Sequence, residues 1–207
     1  ITGGNLEVSA GGTATDTTLS AGEMQVAGTA AKTAITGGSL EVSAGGTATD
    51  TTLSAGEMQV SGSAKQTTIT GGNLEVSAGG TATDTTLSAG EMQVSGTAAK
   101  TAITGGSLEV SAGGTATDTT LSAGNMQVSG TAKQTTITGG NLEISAGGTV
   151  SDTALSAGNM QVTGIAKQTT ITGGSLEVSA GGTATDTTLS AGEMQVAGTA
   201  KQTTITG

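Results

Sequence analysis

Ile1-Thr2-Gly3-Gly4-Asn5-Leu6-Glu7-Val8-Ser9-Ala10-Gly11-Gly12 decides the fold, because the same stretch, little altered, begins again at Ile35, Ile69, Ile103, Ile137 and Ile171, and its opening Ile-Thr-Gly returns at Ile205. The chain is one 34-residue unit written six times in 207 residues. Within each unit lies a weaker second copy, since Leu19-Ser20-Ala21-Gly22-Glu23-Met24-Gln25-Val26 can be laid over Ile1–Val8 without a gap. The working period is therefore half a unit, 18 residues from Ile1 to Leu19 and 16 from Leu19 to Ile35. A fixed short period makes the fold quasi-one-dimensional, each repeat touching only its neighbours.

Thirty-four residues is also the period of tetratricopeptide helices, but the residues refuse helix. Each unit carries six glycines, at the places of Gly3, Gly4, Gly11, Gly12, Gly22 and Gly28, and an interior glycine costs a helix about 1 kcal/mol. Between them the pattern alternates: Leu6, Val8 and Ala10 face one way and Asn5, Glu7 and Ser9 the other, as in a strand with one buried side. A second strand is predicted over Thr17-Thr18-Leu19-Ser20, with Thr17 and Leu19 inward. Two-residue hairpin signals such as Asn-Gly or Asp-Gly are absent, so parallel coiling fits better than hairpins. The expectation is an all-β fold, a parallel β-solenoid (β-helix) of about 12 rungs at roughly 4.8 Å, two rungs per repeat, a rod on the order of 58 Å long. Its interior columns are Ile1/Leu19, Leu6/Met24, Val8/Val26, Ala14/Ala30 and Thr17/Thr33. Substitutions between copies agree, since Val8 becomes Ile144 and Ala14 becomes Val150, apolar for apolar.

Composition narrows the function. There is no Cys, His, Pro or aromatic residue, and sixteen acidic residues against six basic ones give a net charge of −10. Disulfides and thiolate or imidazole metal sites are excluded, and nucleic acid and anionic membrane are poor partners for such a charge. No hydrophobic run approaches the roughly 20 residues that span a bilayer. Every carboxylate recurs in equivalent copies and no base other than Asp or Glu stands ready to activate a hydroxyl, so the chain is read as a non-enzyme without cofactor. Residues 1–207 are read as a single solenoid segment of something longer, whose caps lie elsewhere.

Three surface stripes remain. On the outer side of the Leu-x-Val strand, Glu7, Glu41 and Glu75 alternate along the rod with Gln25, Gln59 and Gln93, beside a column holding Asn5, Glu23, Glu57 and Glu91. Asn and Gln can hydrogen-bond across a pair of rods there, which makes this the candidate lateral face for self-association. A second stripe alternates Asp16 with Lys32, and such pairs across rungs contribute at most about 1 kcal/mol each; Lys32 and Lys100 keep this column, whereas Lys65, Lys133, Lys167 and Lys201 are shifted by one place with Gln beside them. In the third, hydroxyls flank each inward Leu or Ile: Thr18 and Ser20, Thr52 and Ser54, Thr68 and Thr70, Thr86 and Ser88, Thr136 and Thr138, with Ser122 after Leu121; Thr36 and Thr104 stand without a partner, and Ala at 34, 102 and 154 makes the only gaps. A Thr-x-Thr face is also the pattern of ice-binding solenoids. Here Thr13-Ala14-Thr15 recurs only on alternate rungs, and the denser row mixes Thr with Ser and is broken by Ala, against the uniform spacing that lattice matching needs.

The runs Gly11-Gly12-Thr13-Ala14-Thr15-Asp16-Thr17-Thr18-Leu19 and Gly147-Gly148-Thr149-Val150-Ser151-Asp152-Thr153-Ala154-Leu155-Ser156-Ala157-Gly158 resemble the imperfect repeats of AIDA-type autotransporter passengers, the family of the diffuse-adherence adhesin, antigen 43 and TibA. The resemblance covers essentially the whole chain. It implies a right-handed parallel β-helix on the outside of a Gram-negative cell, tethered through a segment outside this chain. It also implies adhesion, autoaggregation or biofilm formation through like chains or a host-cell surface, and a heptosyltransferase acting on Ser and Thr. The acceptor candidates are then the outward hydroxyls Thr18, Ser20, Thr36, Thr52, Ser54, Thr68, Thr70, Thr86, Ser88, Thr104, Ser122, Thr136 and Thr138. A passive spacer that holds an adhesive tip away from the cell is the alternative. The chain departs from the family in its greater regularity and its lack of aromatic residues.

Overall fold

The computed structural model describes residues 1–206, and among them every regular element is a β-strand. Each unit contributes four: β1 (Asn5–Val8), β2 (Thr13–Leu19), β3 (Glu23–Val26) and β4 (Thr29–Ile35), and the series continues to β23 (Glu193–Val196), β24 (Thr199–Lys201) and β25 (Thr204–Ile205). Short and long strands segregate completely. The short ones stack as a 12-stranded sheet in the order β1-β3-β5 onward, and the long ones as a 13-stranded sheet beginning β2-β4-β6. All pairing is parallel and in register, with Leu6 on Met24, Val8 on Val26, Ala14 on Ala30 and Leu19 on Ile35. The expected parallel solenoid, two turns per repeat, is what forms.

The 18- and 16-residue turns stay in register because their extra length is confined to one corner. In odd turns Ser9-Ala10-Gly11-Gly12 closes on itself, the Gly12 N–H donating to Ser9 O at 2.8 Å. In even turns Ala27-Gly28 spans the same gap, and Thr29 N–H still reaches Gly12 O at 2.9 Å. Ala10 therefore leaves the strand and is exposed, contrary to the inward position expected from alternation. The alternation ends at Val8, one residue before that tight turn begins.

The long strand also differs from expectation. It starts at Thr13 rather than Thr17 and ends at Leu19, leaving Ser20 in the bend beyond it. Its middle residue, Asp16, has φ +54, and the same position has positive φ on every turn. Inward residues show what this does. Ala48 is buried, then Thr51 and Leu53, a spacing of three followed by two, so the strand's inward parity slips at Asp50 and the chain turns a corner without leaving the ladder. Each turn thus presents three outer faces: face A from the short strand, face B from the Thr13–Thr15 run and face C from the Thr17–Leu19 run with Ser20.

The interior is a continuous column stack of Leu, Met, Val, Ile and Ala with exposures of 0 or 1% through the middle turns. Only medium side chains fit inside each ring. Stability comes instead from repetition, with each ladder bond contributing about 0.5–1.5 kcal/mol net and summing along the rod. The Thr17 column is interior as expected, and ten of its members, from Thr33 to Thr187, are 1–2% exposed.

Candidate functional site

What the described residues offer is repeated chemistry on faces marked by shallow depressions. Face A is the more structured. Its two outward columns keep strict register, Asn5 with Glu23 and Glu7 with Gln25, then Glu23 with Ser39 and Gln25 with Glu41. Of the lateral-face candidates, Asn5, Glu7, Gln25, Glu57, Gln59, Glu75, Glu91 and Gln93 are exposed and Glu23 and Glu41 half-buried. The alternation has a consequence in hydrogen bonds: Gln25 Nε2 donates to Glu41 Oε2 and Gln59 Nε2 to Glu75 Oε2, both at 3.4 Å. Between the stacked turns a shallow groove of ≈ 350 Å³ opens over Glu41, Met58, Gln59 and Leu74. Carboxylates of the Glu7 column lie two turns apart, roughly 9.6 Å, so repulsion within the column is largely screened at physiological salt.

Further along, face A changes character. Asn125, Asn141 and Asn159 occupy three successive turns, and their carboxamides form a ladder, Asn141 Nδ2 to Asn125 Oδ1 and Asn159 Nδ2 to Asn141 Oδ1, both at 3.0 Å. The sequence shows three asparagines at these places but not that they would bond, since the ladder depends on the stacking of unlike half-units.

Face C carries the hydroxyls. Thr18, Ser20, Thr36, Thr52, Ser54, Thr68, Thr70, Ser88, Thr104, Ser122, Thr136 and Thr138 are exposed, and Thr86 is half-buried. They are not equivalent. In the outer column the hydroxyls bond in pairs, Thr36 to Ser20, Thr104 to Ser88 and Thr138 to Ser122 at 3.3 Å, and Thr70 to Ser54 at 3.4 Å. In the inner column Thr52, Thr68 and Thr86 line a shallow depression with Asp50, Gln66 and Asp84.

The mixed-charge stripe has the expected columns but little of the expected pairing. Asp and Lys share a column only at Lys32 and Lys100; Gln66, Gln134, Gln168 and Gln202 take the place in the other even turns. Among the described residues the only salt bridge is Lys100 to Asp84 at 4.0 Å, with both side chains more than half exposed. Elsewhere in the column, where every residue has φ of +53 to +57, no cross-rung ion pair forms among the described residues. Lys65, Lys133, Lys167 and Lys201, one place earlier as their sequence shift implies, stand in the Thr15 column on face B.

Comparison with known proteins adds one likeness. Neither a protein-family model nor a curated protein matches the sequence. Among solved structures, a fragment of TibA that was hyper-glycosylated by TibC superimposes with a TM-score of 0.85 at 29% identity, over 96% of this chain and 82% of that one. The chain is a TibA-like β-solenoid.

Proposed function

We propose that the chain is the repetitive shaft of a bacterial cell-surface adhesin, displayed outside the cell and associating with like chains, or adhering to a host cell, through face A. The observation that carries this reading is the register of the Glu7/Gln25 and Asn5/Glu23 columns over the length of the rod, because weak contacts repeated on a rigid scaffold accumulate through effective concentration rather than through one site. The likeness to a TibA fragment supports it. Chains of about four, eight and twelve turns, capped at both ends, are expected to associate more strongly with length; if all three remain monomeric at high concentration and none aggregates cells displaying it, the rod is a spacer and not an adhesive surface.

The TibA fragment was glycosylated by TibC, and this motivates a second property of the same rod: Ser and Thr of face C accept sugar from a glycosyltransferase of that kind. On co-expression, peptide mass mapping is expected to place sugar on the exposed Thr18 and Ser20 columns and to spare Thr51, Thr67 and Thr85, which are 1% exposed. Sugar on the buried column would overturn the assignment.

A further inference from the structure

Charge is divided between the faces in a way that self-association through face A alone does not use. All ten glutamates stand on face A, and in each of the first seven turns one of the two outward columns carries a carboxylate, from Glu7 and Glu23 to Glu91 and Glu109. Two copies meeting face A to face A would set these rows against each other. Face B is the opposite: it holds no acidic residue, and Lys65, Lys133, Lys167 and Lys201 project from it, exposed, with no carboxylate within salt-bridge distance among the described residues. These lysines fall on the fourth, eighth, tenth and twelfth turns and the Glu7 column on odd turns only, so the lysines stand at whole multiples of the two-turn glutamate spacing, roughly 9.6 Å. In one axial register of two adjacent rods, every lysine of one copy therefore finds a glutamate of its neighbour.

We propose that face B of one copy docks on face A of a second copy, with the Lys65/Lys133/Lys167/Lys201 row set against the Glu7 column. This rests on the lateral self-association proposed above and specifies its geometry. Because the two surfaces differ, the contact is heterologous and does not close; each added rod presents a fresh face to the next, giving open-ended lateral arrays. Single exposed ion pairs contribute little, but a shared period adds them in parallel, and salt weakens them together.

The test uses two variants of the full chain, K65Q/K133Q/K167Q/K201Q and E41Q/E75Q/E109Q/E143Q, with far-UV spectra and melting to verify that each remains folded. Light scattering and sedimentation are run at low salt. The wild type is expected to form growing assemblies that dissolve in about 0.5 M salt. Each variant alone is expected to need at least about ten times the concentration to associate, while their equimolar mixture, with one intact face from each, forms 1:1 complexes. Their net charges move in opposite directions, so loss in both excludes a general charge effect. If the lysine variant assembles like the wild type, the face B contact is wrong and a face A contact between copies survives; the same holds if the mixture gives no heterocomplex. A wild type that stays monomeric at every length would remove the self-association reading and this geometry with it.

Discussion

Two of the rod's corners use the same left-handed backbone and opposite residues. At the corner preceding each short strand, Gly22, Gly38 and Gly56 have φ of +91, +79 and +90, and no other residue type appears in that column. At the corner inside each long strand the φ values are +53 to +57 and the residues are Asp, Lys or Gln, never Gly. A φ near +55 therefore does not by itself demand glycine, and the glycine corner lies further out, near +80 to +90. A Cβ on Gly56 would lie 2.3 Å from the carbonyl oxygen of Gly38 in the turn below, whereas the Asp16 column points its side chains off an outer edge. The third corner separates the two causes, since Gly79 has φ +88 but nothing within 4 Å of where a Cβ would stand.

The comparison can be broken most severely at the stacked corner. Gly56→Ala combines left-handed strain with a backbone collision, and a loss of about 3–5 kcal/mol is expected in chemical denaturation. Gly79→Ala carries the strain alone and should cost only about 1–2 kcal/mol; equal losses would mean that conformation, not crowding, selects glycine at both places. At the long-strand corner the strain is already present, so Q66N/Q134N/Q168N, which installs a residue that tolerates this region better, is expected to stabilise by about 0.5 kcal/mol per site, summing over turns. No gain from the triple variant would show that the corner carries no strain to relieve.

A smaller effect tests the strand between these corners. The Thr85 hydroxyl, like those of the other buried members of its column, has no hydrogen-bond partner, although Thr86 beside it faces outward. Thr85→Val keeps the shape and removes the orphan group, and a gain of up to about 1 kcal/mol is expected. A loss would indicate that the hydroxyl is satisfied within the core.

Most of the architecture could be read directly. The Ile-to-Leu spacing of 18 and 16 residues set the turns, and the alternation of Leu6, Val8, Met24 and Val26 set the inward columns, because parallel stacking places like on like. The αL corner is legible as well, in the odd spacing from Ala14 to Thr17, but alternation alone starts the strand after it. Alternation misplaced Ala10 because periodicity does not say where a strand stops. Reading Asp16 and Lys32 as an ion pair failed for a geometric reason: sharing a column fixes the Cα separation but not the direction of the side chain. The hydroxyl columns lie at the surface, while the pairing that ties up Ser20 with Thr36 is not visible in the sequence, since it depends on the distance between adjacent turns.

The sequence by itself determined the period, the strand type, the parallel register and the inward columns within the strands, since all of these follow from local alternation repeated at a fixed interval. Tertiary structure alone decided which outward columns share a face, which amides and hydroxyls are already bonded to each other, and which glycines are irreplaceable. Those properties depend on atoms a whole turn away along the chain, brought to about 4.8 Å only when the rod is wound.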